Sequence, residues 1–333
     1  MDTNLILTGL AGVIAAATPI VFATIGETFT EKAGVINLSV NGTILLSAMA
    51  GFVVSLTTQS IILGFLMSAL VGALVAMVIA FSSITLKQSQ VAVGFVLTLM
   101  CRDLSYFLGN PYMGQSGPRI PPAFPIPVLS QIPILGPIFF NHEILVYLSY
   151  ILIIVSYVWF YKTREGLVLT GIGERPAAAY VRGTNVNLRR YLYTFLGGAL
   201  VGVSGPMYSL AYKAGWKGTI SGLDGIGWIV LAIVIFGGWN PLRAVAGAYL
   251  FALLQWLGLV LQPNLPNIPS QVLQVAPFPL MILTLLLVNI GNAEWVDRVL
   301  AGMPEGERRF FSRLLRSIKT SPPAALGTPF ENQ

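Results

Sequence analysis

KTREGLVLTGIGERPAAAYVRGTNVNLRR, residues 162–190, is the longest polar interruption of definite charge sign in a chain otherwise built of apolar runs. Lys162, Arg164, Arg175, Arg182, Arg189 and Arg190 outnumber Glu165 and Glu174. Because short cytoplasmic loops of membrane proteins collect Lys and Arg, the stretch reads as an inner loop between two spans. Within it, Pro176 and Gly183 bracket a short helix, proline suiting the first turn and glycine the residue just past the end. The residues between would make a helix about 10 Å long at 1.5 Å per residue. One so short is marginal alone in water, so it needs packing, on its own membrane domain or on a partner. The alternative is a plain connector with one helical turn.

Outward from this loop, composition fixes the class. Of 333 residues, 55% are hydrophobic and 10% charged, with a mean hydropathy of +0.76. A soluble domain carries about 25% charged residues. Apolar runs long enough to cross about 30 Å of hydrocarbon recur throughout. The expectation is an all-α polytopic bundle, with spans near 5–28, 34–57, 60–85, 90–109, 143–161, 188–212, 219–237, 241–261 and 271–290. The second is a candidate for two half-helices, and a total of eight or ten spans is the alternative to nine. No basic region precedes the first run and Asp2 is acidic, so that run is expected to be kept as a span.

With the central loop inside and spans alternating, most of the nineteen Lys and Arg fall on the inner side. The outer loops receive only Arg119, Lys213 and Lys217, while Arg102 lies within a span. This predicts an outer N-terminus and a cytoplasmic C-terminus. The outer loop 110–142 carries eight prolines and should be semi-rigid, a cap on the bundle or a seat for an outer partner. Residues 1–290 form the membrane domain. In the tail 291–333, ERRFFSRLLRSIKT predicts a basic amphipathic helix near 305–320 lying on the inner leaflet. From Ser321 the chain is expected to be unstructured.

The sequence argues against self-contained chemistry. One cysteine, Cys101, precludes an intramolecular disulfide, and one histidine, His142, precludes a His-based metal cluster within the chain. No nucleophile–base pair or paired acid and base is evident, and no cofactor is expected. The pattern GxxxxGK[ST] is absent, so ATP-driven transport would need an ATPase on another polypeptide. The net charge of +6 orients loops and does not imply nucleic acid.

Ionisable groups within spans are functional candidates. Arg102 and Asp103 stand together in the fourth span; about 100° apart on the helix, they are expected to seek partners on neighbouring helices rather than each other. Asp224, in SGLDGIGW, is placed near the outer end of the seventh span. Asn37 and Asn41, four apart, are expected on one inward face of the second span, holding solute or gluing helices. Glycines at 197–205, 237–238 and 247 predict close helix packing.

Four segments in order carry a resemblance: ATPIVFATIGETFTEKAGVINLSVNG (17–42), SQVAVGFVLTL (89–99), GERPAAAYVRGTNV (173–186) and GIGWIVLAIVIFGGWNPLRAVAGAYLF (225–251). Together they resemble the ABC transporter permeases of the branched-chain amino acid and simple-sugar superfamily, nearest the nucleoside branch that pairs with a basic-membrane-protein type binding lipoprotein. The resemblance implies an importer of two permease subunits, two cytoplasmic ATPase subunits and an extracytoplasmic substrate-binding protein in the cytoplasmic membrane. It implies that Gly173, Glu174, Pro176, Ala177, Ala178 and Gly183 form the ATPase-coupling helix, and that a heterodimer with an unlike permease is the expected assembly. Arg102 and Asp103 depart from the small apolar residues of relatives. The solute expected is a nucleoside or simple sugar, with a branched-chain amino acid as the alternative. A secondary transporter driven by an ion gradient is the competing class; a channel would want a ring of pore-lining residues that is not evident.

Overall fold

The computed structural model describes residues 3–264 apart from 122, 213 and 214, isolated positions between 269 and 283, and residues 321–331. The expected span at 271–290, apart from those isolated positions, and the amphipathic helix at 305–320 lie outside the described residues.

Eleven α-helices follow in order among the described residues. The long ones are α1 (Thr3–Lys32), α2 (Val40–Thr58), α3 (Ile61–Ala80) and α4 (Gln90–Gly109). The short α5 (Leu135–Phe139) lies in the proline-rich loop, followed by α6 (Ile144–Lys162), α7 (Arg164–Glu174), α8 (Pro176–Val181) and α9 (Val186–Pro206). A half-length α10 (Ile226–Phe236) and a full α11 (Pro241–Leu261) complete the set. Six of the helical segments, those beginning at Ile6, Val40, Ile61, Gln90, Ile144 and Pro241, are long and apolar enough to cross a membrane. The expected sixth and seventh spans are α9 and α10, and α10, at 11 residues, is too short to cross by itself.

Local chemistry sets the helix starts. Ser60, Ser89, Thr163, Asn185 and Asn240 each accept a backbone N–H of the helix that follows, satisfying donors that lipid cannot. Along α1, Thr18 donates to the Ile14 carbonyl at 3.0 Å and Thr28 to the Thr24 carbonyl at 2.7 Å, so these hydroxyls stay paired inside the bundle.

The centre is α9, which packs against α1, α2 and α3 through small residues. A Cβ on Gly197 would lie 2.5 Å from the Gly26 carbonyl oxygen, and one on Gly202 2.2 Å from the Ser68 carbonyl oxygen. The glycine cluster therefore does what its spacing predicts, bringing backbones close enough for dispersion contact where no hydrophobic drive acts between helices. In the proline-rich loop, two-residue strands β1 (Phe124–Pro125) and β2 (Asn141–His142) pair antiparallel, and the His142 ring Nε2 lies 2.6 Å from the Ile138 carbonyl oxygen.

The expectation for the C-terminal stretch fails. Ser321–Glu331 is not unstructured: it lies across the end of the bundle that carries α7 and α8, with Pro323 and Ala325 buried. Its fold is a turn in which Thr328 N donates to the Ala325 carbonyl at 3.2 Å and Gly327 takes φ +77°, the conformation a type II turn demands of its third residue.

Candidate functional site

Two places draw the sequence-predicted residues together, one at each end of α10's reach.

The first is built around α2, α4 and the start of α10. Neighbouring positions fix its depth: a Cβ on Gly94 would meet Leu38, and one on Gly42 would meet the Thr98 backbone. Asn41 is therefore level with residues about 12 Å along α4, near mid-membrane at 1.5 Å per residue. There Asn41 Nδ2 donates to Asp224 Oδ1 at 2.7 Å, and Asn41 Oδ1 accepts from Gly225 N at 2.9 Å and Gly227 N at 3.2 Å. Asn41 thus holds the open N-terminus of a half-helix, whose first N–H groups lack intrahelical acceptors. A Cβ on Gly227 would sit 2.2 Å from Asn41 Cα, so only glycine permits the approach.

Asp224 lies just ahead of α10, a half-length helix that starts level with the middle of α4. Discontinuous helices of this kind, with irregular backbone lining a cavity, build transporter sites near the midplane.

Arg102 and Asp103 make the contact with each other that their helical offset argues against. Arg102 Nε donates to Asp103 Oδ1 at 2.9 Å. The flexible arginine stem folds back along the helix surface and spans the angle between them. Arg102 also lies within electrostatic reach of Asp224, as does Tyr106. Beside them Phe95 and Trp228 set their ring centroids 6.4 Å apart, half-exposed on the same side. The result is one surface strip combining Arg102, Asp103, Asp224, Tyr106 and two aromatic faces. Charged groups so exposed at mid-depth are incompatible with a lipid-facing surface and belong on a watered path or against another subunit.

Asn37 does not share a helix face with Asn41. Residues 35–37 lie outside any helix and α2 begins at Val40, so the second span is one helix with a non-helical lead-in. Asn37 instead donates to Glu27 Oε2 at 3.1 Å and accepts from Ser39 Oγ at 2.6 Å.

Glu27 and Glu31 are residues that the sequence reading passes over. Both are buried, and Glu31 accepts the indole N–H of Trp239 in the turn between α10 and α11. The signal was present: two carboxylates four residues apart in GETFTEK share a helix face once α1 runs on to Lys32.

The second place is the α7–α8 corner. α8 opens with Pro176 at its first turn and closes at Gly183, φ +87°. Gly183 N donates to the Tyr180 carbonyl at 2.8 Å and Thr184 N to the Ala179 carbonyl at 3.1 Å, the paired bonds of a Schellman motif. α7, which the sequence reading left as loop, is a helix tied to α9: Arg189 and Tyr193 both reach the Glu165 carboxylate. Gly173 packs under the Lys32 carbonyl, where a Cβ would come within 2.2 Å. Ala177, Ala178 and Val181 face outward, Val181 85% exposed. Of the predicted set, Gly173 is buried at the hinge, Glu174 accepts from Ala324 N at 3.3 Å, and the alanines are free to meet a partner.

A family model, Branched-chain amino acid transport system / permease component, matches residues 9–288. The chain belongs to this permease family. TsgC13 of Haloferax volcanii, provisionally named a glucose ABC transporter permease protein, is 38% identical over 77% of this permease and 80% of its own length. The nucleoside ABC transporter permease protein NupC of Lactococcus lactis is 34% identical over 84% and 91%. The guanosine ABC transporter permease protein NupQ of Bacillus subtilis is 30% identical over 81% and 88%. No solved structure matches. The permease is thus a multi-pass transport subunit of an ABC system and not an enzyme, and its family works with ATPase, substrate-binding and further permease subunits.

Proposed function

We propose that this permease forms half of the path by which a nucleoside crosses the membrane, driven by a separate ATPase and supplied by an extracytoplasmic binding protein. The observation that carries the reading is the mid-depth strip. Asp224, held by buried Asn41, and Arg102 offer an acceptor and donors for sugar hydroxyls, and Phe95, Trp228 and Tyr106 offer apolar faces for a flat base. The names of NupC and NupQ support the same solute class. TsgC13 favours a simple sugar as the second reading.

The strip is open on the single chain, so a second permease closes it, with an unlike partner as the reading adopted here. α8 meets the ATPase on the cytoplasmic side, where Lys32, Lys87 and the C-terminus also lie; the N-terminus is outside. Force applied at α8 has a packed route to the strip. α7 abuts Lys32, Glu31 holds Trp239, and α10 runs from that turn to Asn41.

Uptake of labelled guanosine, adenosine and glucose into proteoliposomes carrying the whole complex tests the solute. Competition by nucleosides and not by glucose is expected; the reverse order moves the assignment to sugar. Uphill uptake by the permease without any ATPase would remove the ABC reading in favour of a gradient-driven carrier. Replacing exposed Ala178 with arginine tests α8: uptake and stimulated hydrolysis should fail while the protein stays in the membrane.

A further inference from the structure

The segment Ser321–Glu331 touches α7, α8 and α9, the chain just past α1 and the turn ahead of α4 at once. Ala325 N donates to the Gly173 carbonyl at 2.8 Å, Gly327 N to the Gly34 carbonyl at 3.0 Å and Ala324 N to Glu174 Oε2 at 3.3 Å. Arg190, only 1% exposed, donates through Nη1 to the Thr328 carbonyl at 2.8 Å. Glu331 pairs with Lys87, in the turn ahead of α4, and the Phe330 ring lies 5.7 Å from that of Tyr180 on α8. Phe330 also packs on the small core of Ala33, Phe160, Leu169, Ile172, Val186 and Tyr193 that supports α7.

These contacts decide what the segment does to α8. It lies on the flank of the helix and does not cover it: Ala177, Ala178 and Val181 remain exposed with the segment in place. A blocking peptide would have to bury that face. A six-residue helix also needs outside support to keep its pose, and Phe330 on Tyr180 supplies it. Bonds to both Gly173 and Gly34 clamp the α7 hinge to the end of α1, the first link of the route towards the mid-depth strip.

We infer that Ser321–Glu331 is a built-in strap that fixes α8 in the pose in which the ATPase meets it, with Phe330 and Glu331 completing the docking surface beside Ala178 and Val181. This rests on the reading of α8 as the ATPase contact. The partner it fits is the cytoplasmic ATPase subunit, met through a small apolar helix face edged by one aromatic ring and one carboxylate.

The test titrates labelled ATPase subunit onto the full-length permease in nanodiscs and compares Phe330→Ala, truncation after Thr320, and Ala178→Arg, with the melting temperature of each permease measured alone. An aromatic contact is worth about 1 kcal/mol, so Phe330→Ala should weaken ATPase binding about five- to tenfold, and truncation more, in permease that is still folded at the assay temperature although its melting temperature falls with the lost contacts. Unchanged affinity in both strap variants overturns the proposal, as does a rise in affinity or hydrolysis on truncation, which would make the strap inhibitory. Should truncation unfold the membrane domain, Phe330→Ala decides alone. Loss of binding with Ala178→Arg but not with the strap variants keeps the α8 reading and removes the strap; the opposite pattern overturns the α8 reading and, with it, the strap as a support for α8.

Discussion

Asn41 Nδ2 and Asp224 Oδ1 meet at 2.7 Å across 183 positions of chain, and the same amide's oxygen receives the first N–H groups of α10. One side chain therefore positions both the carboxylate and the half-helix of the proposed solute path. Asn41→Leu leaves those buried donors without an acceptor, which should lower stability by about 2–4 kcal/mol. Asn41→Asp keeps the shape and sets two carboxylates face to face. Both variants should lose uptake beyond any loss of abundance, and detergent-solution melting with proteoliposome uptake would show it; wild-type uptake by either removes the pair from the path.

Gly227 and Gly171 form a matched contrast. At Gly227 a Cβ would strike the Asn41 backbone, atoms that cannot rotate away, whereas at Gly171 it meets nothing within 4 Å. Gly227→Ala should cost about 3 kcal/mol or more by prising α10 from α2. Gly171→Ala, inside α7, should be neutral or stabilising by up to about 1 kcal/mol. Thermal unfolding of the two variants side by side measures both.

Asp103 pairs with Arg102 while remaining largely exposed, so its charge contributes little to folding. Asp103→Asn should therefore leave membrane abundance near wild type and change uptake, through the field that Arg102 presents beside Asp224. Equal losses of abundance and uptake would return Asp103 to a packing role.

His142 gives the proline-rich loop a pH response. Burial lowers its pKa, partly opposed by the contact with the Ile138 carbonyl. Its folded form thus favours the neutral ring, and the unfolded loop takes up a proton first as the pH falls through about 6.5, the ordinary histidine value. Stability of the β1–β2 pairing should be full above that pH and decline below it. Exchange of the Ile126 amide, bonded to the Phe140 carbonyl at 3.1 Å, should quicken in acid beyond its intrinsic trend. His142→Gln should abolish the extra dependence, and an equal pH response in that variant would assign it elsewhere.

The sequence by itself determined the class, an all-helical bundle in lipid, because hydropathy over twenty residues is a local sum that packing cannot reverse. It also determined α8 closely, since Pro176 and Gly183 act on backbone dihedrals within one turn. It placed the glycine contacts of α9, written in short spacings. Only the tertiary structure decided that α10 starts at mid-depth, that Asn41 holds it there while Asn37 turns to Glu27, that Arg102 folds back on Asp103, and that Glu27 and Glu31 are interior. It alone docked Ser321–Glu331, a segment whose Leu326–Gly327 turn is legible but whose acceptors, Gly34 and Gly173, lie 293 and 152 residues upstream of their donors. Such pairings depend on which surfaces the bundle leaves bare once its helices have packed, and no local pattern encodes that.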